Sequence, residues 1–234
     1  MSRVTQYVLL VLVGLATAVM LVKGTYLNYV KPSLLGWLAV AAVVLVVLGL
    51  SGVVGELRGA AEGGHGHAHR SGLAWLLLVP IALVAFVVPP PLDARGTNPP
   101  PAAVSTPTLR PFPPLPPGPA PEVPLPEAVM RAAADSAHSL DGRTITLTGF
   151  TVHGSGAVDL GRVVIVCCAA DAQLARVHLT GAGLATAADY PEDTWVRVVG
   201  RIRPGSSHVE DGFIPTMEVT EAIRIEKPKN AYAY

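Results

Sequence analysis

The chain has 234 residues, half of them apolar and only 15% charged, and its 17 basic and 17 acidic side chains leave it formally neutral. Neutrality removes any global attraction to nucleic acid or to an anionic surface. The positive mean hydropathy argues against an ordinary water-soluble protein.

Three apolar runs come first, at 4–22, 34–54 and 73–88. The first two approach the roughly 20 residues that cross a bilayer as a helix, and neither contains a charge. The third is shorter and carries Pro80, but Arg70 before it and Pro89-Pro90-Pro91 after it frame a third span. A cleaved secretory signal is the alternative for 4–22. That run exceeds the usual apolar core of about 7–15 residues, and Lys23-Gly24-Thr25-Tyr26 offers no small-x-small cleavage site. With residues 1–90 assigned to a multi-pass membrane segment, the remainder suits one soluble domain of about 100 residues.

Residues 91–126 are expected to be a linker. Most of the chain's 22 prolines fall in or beside it. Proline fixes φ and removes the amide donor, so this stretch reads as a semi-rigid polyproline II stalk. The soluble domain follows at 127–234. A short helix is expected over 126–134, with Pro126 and Glu127 in its first turn. Period-two alternation then marks a strand at 144–148, followed by strands at 162–169, 174–180, 195–203 and 216–225. Phe150 and Val152 fall out of phase with Ile145 and Leu147, so Gly149 is expected to sit in a β-bulge. Residues 181–193 leave room for one helical turn between the third and fourth strands. The fold expected is three transmembrane helices plus an all-β, OB-like five-stranded barrel.

Three spans put the termini on opposite sides of the membrane. Arg3, Arg58 and Arg70 lie on the side of the N-terminus, against Lys23, Lys31 and Arg95 on the other. Positive-inside bias then places the N-terminus in the cytoplasm and the C-terminal domain outside it.

Two clusters carry candidate chemistry. His65, His67 and His69 alternate with small residues in the loop after the second run, an imidazole donor set for Zn, Ni, Cu or Co. The alternative is a solvated loop with incidental histidines. Cys167 and Cys168 are the only cysteines, and Asp171 follows them. Two thiols and a carboxylate suit a transition-metal ion such as zinc. Neighbouring residues on a strand face opposite ways, so the strand must end there for both thiols to meet one ligand. A strained vicinal disulfide and simple packing of a small hydrophobe are the alternatives. His153, His178 and His208 lie on or near strands without a spacing that joins them to the thiols. Phosphate-loop, nucleophile-elbow, dinucleotide and zinc-helix motifs are all missing, which argues against an enzyme.

The stretch Arg162-Val163-Val164-Ile165-Val166-Cys167-Cys168-Ala169-Ala170-Asp171-Ala172-Gln173 resembles the signature of the YcgQ-like bacterial membrane proteins. Tyr29-Val30-Lys31-Pro32, the segments at 140–150 and 194–200, and the tail Pro228-Lys229-Asn230-Ala231-Tyr232-Ala233-Tyr234 are similar too. Ala231 stands where that family often has proline. The resemblance implies the small subunit of a two-part permease, and hence a larger multi-span partner in the cell membrane. An accessory permease subunit linked to transition-metal or small-ion transport is therefore the expected function. A membrane-anchored metal or redox sensor is the alternative. Nucleic-acid binding fits least, because the chain has few aromatics and the soluble domain has no basic stripe.

Overall fold

Residues 3–61, 91–97, 107–154 and 157–234 are described by the computed structural model. They divide into two units, with the boundary between Pro91 and Leu92. The third apolar run, at 73–88, lies outside the described residues, as do His65, His67 and His69.

In the first unit, the two leading apolar runs are helices α1 (Arg3–Lys23) and α2 (Leu35–Ala61). At 1.5 Å per residue each is long enough to cross the hydrocarbon core of a bilayer. The helix pair reverses at Gly24, whose φ of 73° suits a residue without a Cβ, followed by 3-10 turns at Thr25–Asn28 and Pro32–Leu34. Small residues then let the backbones approach. Gly14 lies against Val46 and Ala42, and Gly49 against Val11 and Tyr7. A Cβ at Gly49 would fall 2.6 Å from the Val11 side chain, so this contact exists only because the side chain is absent. Trp37, Val43, Val47 and Leu57 stay exposed, as side chains facing lipid would.

The second unit holds five strands: β1 (Thr144–His153), β2 (Val158–Val164), β3 (Gln173–Thr180), β4 (Trp195–Ile202) and β5 (Thr216–Arg224). They pair in the order β1-β2-β3-β5-β4, and β4 returns to β1, so the sheet closes into a ring. All pairs are antiparallel except β3 with β5. Ile145, Leu147, Leu160, Val177, Val198 and Met217 fill the interior with no exposure at all. Helix α3 (Leu125–Ala134) adds Leu125 and Ala128 to the same core. A short helix, α4 (Leu184–Ala188), occupies the connection between β3 and β4.

Three expectations need correction. Pairing between β1 and β4 runs unbroken from Thr144↔Arg201 to Phe150↔Trp195, so Gly149 is not bulged. The register break falls instead between Val199 and Gly200, where β4 meets β5. Gly149 is a point of close approach, since a Cβ there would meet the Gly161 carbonyl oxygen at 2.5 Å. The phase change is real but has another cause. Phe150 and Val152 belong to a second core outside the ring, with Val163, Ile165, Trp195 and Tyr232. Phe150 and Trp195 meet edge to face at 5.7 Å there.

The second correction concerns the strand expected at 162–169. β2 begins four residues earlier and stops at Val164, before the cysteines. The third concerns the proline-rich stretch, part of which is built into the domain rather than standing off it. Val123 is buried in the ring's core, and its amide and carbonyl neighbours pair with β1: the Val123 N–H donates to the Thr146 carbonyl at 3.0 Å, and the Thr146 N–H to the Pro121 carbonyl at 2.9 Å. Prolines lack donors but keep carbonyls, so such a strand can still lie along a sheet. The buried Arg131 on α3 fixes it further, donating to the Pro113 carbonyl at 2.9 Å, to Glu127 and to Ser139. Leu92 joins from nearer the boundary, its N–H donating to the Tyr232 hydroxyl at 2.8 Å.

Candidate metal centre

Ending β2 at Val164 is what brings the thiols together. Ile165 is still held in extended form, its N–H donating to the Ala233 carbonyl of the C-terminal tail at 3.1 Å. Beyond it the backbone turns around one carboxylate. Asp171 Oδ1 accepts the Val166 N–H at 2.8 Å, and Oδ2 accepts those of Cys167 at 2.8 Å and Cys168 at 3.3 Å. These amides cannot then serve a neighbouring strand. A 3-10 turn, Ala169–Asp171, closes the loop, with the Asp171 N–H donating to the Cys168 carbonyl at 3.0 Å in return.

The strand alternation that would have parted the two side chains is thereby lost. The Cys167 and Cys168 sulfurs lie 3.6 Å apart. Both thiols and a carboxylate oxygen of Asp171 fall within 4.8 Å of one another. Cys167 is exposed, and Cys168 and Asp171 are half-buried. Among the described residues this is the one such group of three or more His, Cys, Asp or Glu donors. An ion bound at about 2.3 Å to each sulfur in tetrahedral geometry separates the sulfurs by about 3.8 Å, whereas a linear two-coordinate ion needs about 4.6 Å. The sulfurs, in direct thiol–thiol contact, stand closer to the tetrahedral separation than to the linear one.

Hydrogen bonds inside the group set its protonation. A hydrogen bond from the Cys167 thiol, helped by the three backbone amides, holds the Asp171 carboxyl down at about 2. The same hydrogen bond to Asp171, with a second to Cys168, pushes the Cys167 thiol up to about 12. Metal binding here must therefore displace protons from sulfur.

The histidines on the strands do not join this group. His178 Nδ1 lies 2.6 Å from Asp159 Oδ1, a buried carboxylate that also pairs with Arg176 at 3.4 Å. His153 Nε2 lies 3.0 Å from the Tyr190 carbonyl. Sequence reasoning passed over Asp159, and only the β2–β3 register, which sets Asp159 opposite His178, reveals the pair. It also passed over the tail's role. Tyr232 is buried against Val163 and Ile165, and Arg162 donates to the Asn230 carbonyl at 3.0 Å, so the tail braces the strand that leads into the thiol loop.

Residues 127–234 match the family model described as the DUF1980 C-terminal domain, an uncharacterised family. The match takes in Cys167, Cys168, Asp171 and the bracing tail, and begins within helix α3. No curated protein matches the chain.

Proposed function

We propose that this protein is a non-catalytic accessory subunit of a cell-membrane permease, and that its β domain binds a divalent transition-metal ion through Cys167, Cys168 and Asp171. The observation that carries the metal reading is the convergence of two thiols and a carboxylate within 4.8 Å on an exposed loop. Zinc fits best among common ions, because thiolates favour it and its tetrahedral geometry asks for little change in the sulfur separation. The accessory role follows from the helices. The described spans carry no charge at depth, and a translocation path needs polar groups there. A larger multi-span partner would supply that path.

Within this reading the run at 73–88 is a third span, and Arg/Lys bias places the β domain outside the cytoplasm. The ring is OB-like: its strand order and the parallel β3–β5 closure support that assignment. His65, His67 and His69 would offer a second, weaker capture point for the same ion.

Calorimetric titration of the full chain in mild detergent with zinc tests the metal site. One ion should bind tightly per chain, and that tight phase should vanish in the Cys167→Ser/Cys168→Ser variant, leaving only weak binding at the histidines. Equal heats in both proteins would dismiss the site. The partner is tested by co-purification from the native membrane, where recovery of this chain alone would count against a permease complex. A C-terminal alkaline phosphatase fusion should be active, and an inactive one would invert the topology.

A second reading has its own support. Two free thiols 3.6 Å apart, one exposed and one half-buried, are placed for redox chemistry as well as for metal. A sensor would change conformation on adding zinc or oxidant in the absence of any partner.

A further inference from the structure

We infer that the thiol–thiol–carboxylate group is an open three-ligand site whose fourth position accepts a neutral, exchangeable imidazole from the molecule that delivers or receives the ion. This deepens the metal reading above and rests on it.

A tetrahedral ion needs four donors, and sites that hold zinc for structural purposes supply all four. Here the described residues supply three, all from five consecutive positions of one loop. Asp171 is committed to that loop by its three backbone amides, so it cannot swing away to make room for other protein ligands. The open side faces outward. Cys167 is exposed, and Val166, its neighbour in the chain, is 73% exposed, so the loop presents an apolar side chain that an incoming surface can cover. Charge selects the type of donor. Two thiolates and one carboxylate around a divalent ion already leave one surplus negative charge. A third thiolate would double it, while imidazole adds none and is a borderline donor suited to the same ions. A site completed by a visiting ligand releases its ion when that ligand leaves, as a relay requires.

Cobalt(II) is the probe, since its visible spectrum reports coordination directly. The full chain in detergent is titrated with cobalt(II), and then with imidazole at fixed cobalt. One cobalt per chain should bind with thiolate-to-metal absorption and tetrahedral visible bands. Imidazole should then shift those bands saturably, one per site, and Cys167→Ser/Cys168→Ser should lose both effects while keeping the β-sheet circular dichroism of the wild type. Absence of thiolate absorption in the wild-type chain would remove the metal reading itself, and this inference with it. Tetrahedral, thiolate-bound cobalt whose spectrum does not respond to imidazole would leave the metal site standing and overturn the open position alone.

Discussion

Two carboxylates do more for this domain than their charge alone. Asp171 gathers three amides of the thiol loop, and Asp135, buried just after α3, accepts the amides of Ala137 and Ser139. Burial pushes the Asp135 carboxyl up, but these hydrogen bonds and that of the Ser139 side chain outweigh it and hold the group at about 2. Asp171 sits equally low. A carboxylate depressed in the folded state stabilises it fully above its unfolded pKa of about 3.9, and that contribution fades as pH falls towards 2. The domain should accordingly lose stability between about pH 4 and pH 2. Urea midpoints measured from pH 6 to pH 2 should fall steeply in that window, and Asp135→Asn should flatten the fall at a cost on the order of 1–2 kcal/mol at neutral pH. An unchanged acid limb in the variant would mean that Asp135 is not one of its sources. Zinc affinity should respond to protonation with the same sign but in a higher pH window: because the Cys167 thiol is held high, binding should strengthen as pH rises from 6 to 9.

At the scale of elements, β1 shows why a correct pattern can have the wrong cause. Its alternation changes phase at Gly149, as a bulge would make it, yet the register with β4 never breaks. The strand simply passes from one core to another, with Ile145 and Leu147 inside the ring and Phe150 and Val152 outside it. Gly149→Ala separates these accounts. A Cβ forced towards the Gly161 carbonyl should cost about 1–3 kcal/mol, seen as a lower Tm, whereas a bulge position open to solvent would tolerate it. Leu160→Ala, in the ring's interior, should cost about 2–5 kcal/mol. Val166→Ala, on the exposed loop, should change stability by less than about 0.5 kcal/mol.

At the scale of the molecule, the domain begins earlier than its composition suggests. A cut at Glu127 leaves all five strands intact but removes Val123 and Leu125, both buried in the ring's core. It also removes the carbonyl of Pro113 that Arg131 uses. A fragment of residues 92–234 should melt cooperatively with β-rich circular dichroism. The fragment 127–234 should be weaker by about 3–6 kcal/mol, from two large side chains no longer buried. Equal stability of the two would mean that the proline segment rests on the domain without supporting it.

The two leading apolar helices, the strand-rich domain and the pair of cysteines were legible in the residues themselves, because each is written locally: length without charge, period-two alternation, adjacency in the chain. Whether the Cys167 and Cys168 side chains come together was not, since strand alternation parts them and only the capture of three amides by Asp171 ends the strand in time. The proline stretch was equally undecidable. Its composition rules out helix and inner strand, but whether its carbonyls face water or lie along β1 depends on the side of β1 around Thr146 that β2, which pairs only from Phe150 on, leaves open. Local periodicity determines which elements form. Which carboxylate, carbonyl or tail meets them is decided by contacts between residues far apart in the chain, and no spacing records those.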